Sequence, residues 1–252
     1  IVARQFIFRM REFEQMEMQF FVRPGTESEW YEYWKAERLK WHLSLGISPE
    51  KYRYHDHIKL AHYANAACDI EFDFPFGFKE LEGIHSRTDF DLKAHSEASS
   101  KDLSLFCDEK KSLYIPHVVE CSVGVERIIL AILCNSYFEE KCEDEVRVVL
   151  KLPFFIAPIQ VAIFPLTKNE DELAKEIYKN LINNGFECQY DDSGSIGKRY
   201  RRQDEIGTPY CVTIDSNSKL NNSVTVRSRD SMLQEIVSIE KLNEFLKNNL
   251  KN

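Results

Sequence analysis

Residues Gln5–Val22 read QFIFRMREFEQMEMQFFV, an alternation of aromatic or aliphatic side chains with charged and amide ones, unbroken by glycine or proline. Period-two alternation rich in aromatics predicts a strand. Its backbone donors and acceptors need partners on neighbouring strands, so the chain must build a sheet. On the strand reading Phe6, Phe8 and Met10 share one face, and Ile7, Arg9, Arg11 and Phe13 the other. Two readings of the charged groups stand side by side: a solvated face of a half-buried strand, or groups presented into a site.

After Arg23-Pro24-Gly25 a helix is expected, capped by Thr26 or Ser28, with Glu27 and Glu29 at the positive end of its dipole. Trp30, Trp34, Trp41 and Leu45 fall at helical spacing as a core stripe, and Gly46 and Pro49 end the helix. A second helix is expected over Lys59–Ala67, with His62 structural. Cys68–Phe74 reads as a strand, Glu80–Gly83 as a further strand or turn, and 93–112 as a charged, Ser-rich surface excursion. Asp89 and Asp91 lack a third ligand at a defined spacing and are read as loop-ordering acceptors. From Pro116 the pattern is buried strand, turn at Gly124, then a helix burying Ile128, Ile129, Ile132 and Leu133.

The pattern changes at Leu150–Pro158 (LKLPFFIAP), read as a domain linker. Beyond it come a strand (159–165), a helix (171–183), a strand (186–190), a Gly-rich loop, a helix carrying KRYRRQDEIG, strands at 210–214 and 223–227, and a helix at 239–248. Alternating strands and helices predict a small α/β domain with a mixed sheet.

With 43% hydrophobic and 29% charged residues among 252, the chain can bury a core, which excludes collagen-like and disordered classes. No stretch approaches the ~20 apolar residues of a membrane span, and the opening does not read as a signal peptide. Seven cysteines without a C-x-x-C pair argue against a disulfide framework or zinc ribbon and for a reducing, cytoplasmic setting. The net charge of -8 argues against indiscriminate binding to nucleic-acid phosphates. That acidity lies mostly before residue 158; beyond it the basic residues cluster at Lys198, Arg199, Arg201 and Arg202. No G-x-G-x-x-G, Walker A or nucleophile elbow supports a small-molecule α/β enzyme.

Four segments carry a family resemblance: FRMREFEQME (Phe8–Glu17), ELEGIHSRTDFDL (Glu80–Leu92), ECSVGVER (Glu120–Arg127) and GSIGKRYRRQDEIGTP (Gly194–Pro209). Long, and in the family's order, they resemble glycyl-tRNA synthetase of the dimeric class II type. Phe8–Glu17 resembles the second strand of motif 2 and Glu120–Arg127 resembles motif 3. The resemblance implies an α+β fold: a class II antiparallel sheet with helices, N-terminally incomplete, over residues 1–152, and an α/β anticodon-binding domain over 158–252. Motif 1 and the F-R-x-E strand of motif 2 would lie before Ile1, so the chain is expected to be a fragment, inactive alone, of a homodimer. The runner-up is a non-catalytic class II-like accessory or nucleic-acid-binding protein. The survival of Arg11, Phe13, Glu17, Glu80, Glu120, Ser122 and Arg127 favours the enzyme.

What the resemblance implies chemically is glycine activation by ATP, then transfer to tRNA(Gly). A carboxylate attacking a phosphate is already ionised, so positioning and charge neutralisation dominate. The ATP-site candidates are Phe8, Arg9, Arg11, Phe13, Glu80, Leu81, Gly124 and Arg127, with Arg11 and Arg127 catalytic on the phosphates and Phe13 stacking on adenine. On pattern alone Arg11 would instead pair with Glu12 or Glu14 of a neighbouring strand. Mg²⁺ is implied as the companion of ATP, with no residue singled out as its ligand. The glycine-site candidates are Phe13, Glu17, Arg87, Glu120, Ser122 and Gly124: Glu17 and Glu120 for the ammonium, Ser122 beside the α-carbon, Arg87 near the carboxylate. No ammonium contact is assigned to Gln19, where many relatives carry a second Glu. Lys198, Arg199, Arg201 and Arg202 are the tRNA candidates; the competing reading is a solvated helix face balanced by Asp204 and Glu205.

Overall fold

The computed structural model describes residues 1–142 and 145–250, which form two compact units, Ile1–Asn135 and Ser136–Asn252. The first is built on a five-stranded antiparallel sheet. Its strands are β1 (Gln15–Val22), β2 (Tyr52–Asp56), β3 (Ala66–Phe74), β4 (Gly77–Ser86) and, after a small exposed hairpin of β5 (Leu105–Cys107) and β6 (Ser112–Tyr114), β7 (His117–Gly124). The spatial order is β1-β7-β4-β3-β2. Helices α1 (Glu27–Ser44) and α3 (Val125–Ser136) pack their apolar side chains on one face, while α2 (Phe90–Ser99) buries no residue. The core joins Tyr31 and Leu45 to Ile70, Phe72, Ile84, Val119, Cys121 and Val123 of the sheet and to Ile128 and Ala131 of α3. The opposite face is left for a site.

Pairing corrects the opening expectation. The strand begins at Gln15, not Gln5, because its partner β7 runs out there: Gln15 lies opposite Gly124. Ahead of it Gln5 and Phe6 take left-handed φ angles of 59° and 55°, Phe6–Phe8 makes a single 3-10 turn, and residues 11–12 bend. Phe8 turns inward against Phe74 and Phe76, whereas Phe6, expected on the same face, is exposed.

The helix expected over Lys59–Ala67 does not form; 61–65 makes turns, and Ala66 and Ala67 join β3 opposite Ser86 and His85. Thr26 precedes α1 without capping it: its hydroxyl donates to the Arg23 carbonyl, and the Glu27 carboxylate accepts the Gly25 N–H at 2.5 Å. Trp34 and Trp41 pack on the core as expected, but Ile129 of α3 is exposed. Asp89 and Asp91 order their loop through Lys93 at 2.7 Å and Arg87 at 2.6 Å.

The second unit carries a mixed sheet in the order β11-β10-β12-β13-β14. After the hairpin β8 (Tyr137–Cys142) and β9 (Glu145–Leu150) come β10 (Val161–Pro165), α4 (Asp171–Asn183), β11 (Cys188–Tyr190), α5 (Ile196–Ile206), β12 (Tyr210–Ile214), α6 (Ser218–Asn221), β13 (Ser223–Ser228), β14 (Gln234–Ser238) and α7 (Leu242–Asn249). β10 runs parallel to β11 and β12; the other pairs are antiparallel. The hairpin, expected in the first domain, belongs here because Arg147 of β9 is buried against Asp204 of α5. Parts of residues 152–158 pack likewise: Leu152 and Ala157 are buried and Phe154 lies on the core of Val161, Val212 and Leu246, while Phe155 is exposed. All seven cysteines are free, and burial pushes the Cys121 thiol up to about 12, leaving it protonated and inert at neutral pH. Among the described residues no helix is long and apolar enough to cross a membrane.

Candidate active site

The segment before β1 is fixed by the start of α3. Both carboxylate oxygens of Glu126 accept the Glu14 backbone N–H, at 3.0 and 3.2 Å, and the Val125 N–H donates to the Glu14 carbonyl at 3.0 Å. That clamp closes one side of a cavity of about 350 Å³. Phe8, Arg9, Phe13, Glu80, Leu81, Ser122, Gly124 and Arg127 line it, all of them sequence candidates. Met10, Gln15 and Glu126 line it too and were not singled out. An acid in the first turn after Gly124 was the available signal for Glu126, since carboxylates favour helix N-termini. Arg127 is the cavity's central cation. Its guanidinium lies 4.4 Å over the Phe8 ring, donates to the Phe8 carbonyl at 3.2 Å and the Glu80 carbonyl at 3.0 Å, and sits 3.4 Å from the Glu80 carboxylate.

Arg11 is exposed and does not line the cavity. Its expected face came from strand alternation, and there is no strand at that point.

Glu17, Glu120 and Arg87 lie beside the cavity on the open sheet face. Register sets them in rows, because residues directly opposite in an antiparallel ladder share a face. Glu17, Ser122 and Gly83 form one row, and Gln19, Glu120 and His85 the next. Ser122 belongs to both places: it lines the cavity, sits opposite Glu17, and accepts a hydrogen bond from Gln15 Nε2. Glu120 is surrounded by donors, Gln19 Nε2 at 2.6 Å and Arg87 Nη1 at 3.3 Å, with His85 Nδ1 at 3.7 Å. Arg87 is gripped by Asp91 at 2.6 and 3.1 Å and stacked on Tyr63 at 4.3 Å.

Glu82, inside the quoted Glu80–Leu92 segment, was not singled out. The ladder slips between Ile70 and Glu71, so Glu71 pairs with Glu80 and Leu81 is the extra residue. That bulge puts Glu82 beneath α1, buried, with Arg38 Nε at 2.5 Å and His42 Nε2 at 2.6 Å. Burial alone would raise its carboxyl, but the hydrogen bonds from His42 and Arg38 outweigh it and hold it below the usual range. Glu82 thereby ties α1 to the strand that carries Gly83, His85 and the pocket wall.

In the second unit α5 separates its basic residues. Arg199 turns inward, nearly fully buried, and donates to the carbonyls of Pro165, Asp192 and Gly194 at 2.6–3.2 Å; it holds the loop. Lys198, Arg201 and Arg202 line an open groove of about 620 Å³ with Tyr200 and Met232. Arg202 is anchored by Asp191 at 2.5 Å. Asp204, expected on a solvated face, is buried and accepts from Arg147 at 2.8 Å and Arg227 at 2.9 and 3.1 Å.

The fold and the site define a class. Residues 160–249 match the family described as Anticodon binding domain. Prolyl-tRNA synthetase from Cryptosporidium parvum, solved with L-proline and AMP, superposes with a TM-score of 0.71 at 18% identity, over 98% of this chain and 52% of that one. The RNA-binding domain of threonyl-tRNA synthetase from Cryptosporidium parvum Iowa II gives 0.72 at 19%, over 96% and 65%. The chain therefore has the fold of class II aminoacyl-tRNA synthetases.

It is 52% identical over 245 residues to the glycine–tRNA ligase of Acetivibrio thermocellus, 49% over 262 to that of Treponema denticola and 50% over 249 to that of Chlorobaculum tepidum. These matches take in 96–100% of this chain and 53–58% of the relatives. The chain belongs with the glycine–tRNA ligases, which it matches over nearly its whole length, and it spans about half the length of those curated relatives.

Proposed function

We propose that the whole protein carrying this chain is a glycine–tRNA ligase, and that residues 1–135 supply part of its activation site. The observation that carries the reading is the meeting of two environments at Ser122: a cavity with a stacked arginine and aromatic walls on one side, and a carboxylate-bearing sheet face on the other. ATP suits the first, with Phe8 and Phe13 offering ring surface to adenine and Arg127 a cation to the phosphates. Arg11 reaches the phosphates only if its exposed bend closes over ATP. Glycine suits the second, with its ammonium toward Glu17 and Glu120 and its carboxylate toward Arg87 and the cavity.

The glycine carboxylate oxygen attacks the α-phosphorus; the bond from that phosphorus to the bridging oxygen breaks, and pyrophosphate leaves with the electron pair. No base is required, so rate follows from alignment and from cations facing the phosphates. The terminal ribose hydroxyl of tRNA then attacks the adenylate carbonyl and AMP departs. Among the described residues no three His, Cys, Asp or Glu side chains gather as metal ligands. That donor set does not fit a protein-built Mg²⁺ cage.

Residues 158–252 serve this reading as the anticodon-binding domain, with Lys198, Arg201 and Arg202 on the tRNA. A cytoplasmic homodimer goes with the same reading; sedimentation of the whole protein tests the dimer. Glycine-dependent ATP–pyrophosphate exchange by the whole protein tests the activity. Exchange supported by another amino acid but not by glycine would sink the assignment.

A further inference from the structure

Glycine offers no side chain to recognise, so a site for it must be closed where any other amino acid would place its β-carbon. The rows on the sheet face show where that closure lies. Ser122 has Glu17 opposite it on β1 and Gly83 opposite it on β4. Gly83 leaves a gap in its row, and the gap is filled. The imidazole of His85 folds back over Gly83 so closely that a β-carbon there would lie 2.8 Å from His85 Cε1.

The ring is braced from both sides. The His57 ring lies 6.0 Å away, itself held by Asp69 at 2.9 Å, and Glu120 stands 3.7 Å from Nδ1. At that distance Nδ1 makes no hydrogen bond, and it is buried without a partner. On the reading above, the glycine ammonium is directed toward Glu120, beside this ring. Burial keeps the imidazole below its usual pKa despite the pull of Glu120, so the ring stays neutral and does not compete with the ammonium for the carboxylate.

We propose that His85, seated on Gly83, is the wall that restricts this site to glycine, closing the space beside Ser122 that the side chain of alanine or serine would need. The proposal rests on the glycine-activation reading, and deepens it by naming the residue that sets substrate size. Gly83 is required for it, since any side chain there would displace the ring.

The test compares alanine- with glycine-dependent pyrophosphate exchange in the whole protein. With His85→Ala, and with His85→Ser as a second truncation, the alanine-to-glycine ratio of kcat/KM is expected to rise at least about tenfold, the lower end of what one methylene is worth in a pocket. A bulky His85→Phe should keep the ratio within about threefold of wild type, which separates wall-filling from general damage. In the unmutated protein, glycine with ATP should slow carbethoxylation of His85 relative to His62, read by peptide mass spectrometry. A ratio that stays within twofold in both truncations, with glycine exchange intact in the wild type, overturns the wall. Absence of glycine exchange in the wild type overturns the functional reading itself.

Discussion

Replacing Asp204 by Ala should cripple the second unit, although the residue sits in a helix whose sequence reads as a charged surface. Asp204 has a side chain only 1% exposed, Arg147 none and Arg227 7%. Three hydrogen bonds of 2.8–3.1 Å join them, and Arg147 further donates to the Arg229 carbonyl and to Glu140 at 2.6 Å. Removing the carboxylate leaves Arg227 without that counter-charge and Arg147 with Glu140 alone, both out of water. Breaking a buried pair in this way costs about 3–5 kcal/mol. At ~4 °C per kcal/mol for a unit of this size, the midpoint should fall by ~12–20 °C. Urea and thermal unfolding of residues 1–252, followed by far-UV circular dichroism, measure it, and Glu205→Ala next door should shift stability by no more than ~0.5 kcal/mol. A loss below ~1 kcal/mol for Asp204→Ala would refute the reasoning. The pH dependence follows from the same contacts. Burial works against the Asp204 carboxylate, but the hydrogen bonds from Arg147 and Arg227 win and hold its folded pKa below the unfolded value of ~3.9. Its contribution is therefore fully present above that value and is lost as pH falls toward the folded pKa. Asp204→Asn should flatten the acid limb of stability below about pH 4.

Arg127→Ala in the whole protein should lower glycine-dependent pyrophosphate exchange by ~10²–10³-fold, the usual cost of a lost transition-state charge contact, read as kcat/KM for ATP. Arg201→Ala with Arg202→Ala should raise the KM for tRNA in charging while leaving exchange unchanged, and should reduce the salt slope of tRNA binding by ~1–2. Loss of exchange and charging together would remove these residues from the tRNA face. Gly207→Ala should destabilise by ~2–3 kcal/mol in urea unfolding, since φ is +87° and the new β-carbon meets the Leu150 carbonyl oxygen at 2.9 Å. Gly185→Ala, at the same φ with open space around it, should cost only ~1 kcal/mol.

In the second unit the elements visible in the sequence are those whose burial has a period. Helix Asp171–Asn183 buries Ala174, Ile177 and Leu181 at helical spacing, and Tyr210–Ile214 is buried throughout. Both came out with the predicted bounds. Strand Gln234–Ser238 was missed because it is an edge strand whose Ile236 is 81% exposed, so apolar residues mark no inward face. The role of Asp204 was illegible for a different reason. Its partners Arg147 and Arg227 lie 57 and 23 residues away, on separate strands. Nothing local separates it from Glu205, which is exposed.

The site divides along the same line. Eight of the sequence candidates line one cavity, because the motif segments that name them are brought together by β7 and the start of α3. Among the ATP-site candidates Arg11 is the exception, while the glycine-site candidates Glu17, Arg87 and Glu120 lie beside the cavity. Assigning it a face assumed that parity runs on from Val22 back to Gln5, but parity belongs to a paired backbone, not to a run of residues. Where β1 has β7 opposite it, from Gln15 to Val22, odd and even positions do separate: Glu17 and Gln19 face the site while Met18 and Phe20 pack on the core. Before Gln15 there is no ladder to enforce the alternation. The chain is held instead at single points, by Glu126 on the Glu14 N–H and by Phe8 between Phe74, Phe76 and Arg127. Between those points the Arg9 carbonyl accepts the Arg4 N–H at 3.0 Å, an isolated bridge and not a ladder, so no strand parity is imposed on Arg11.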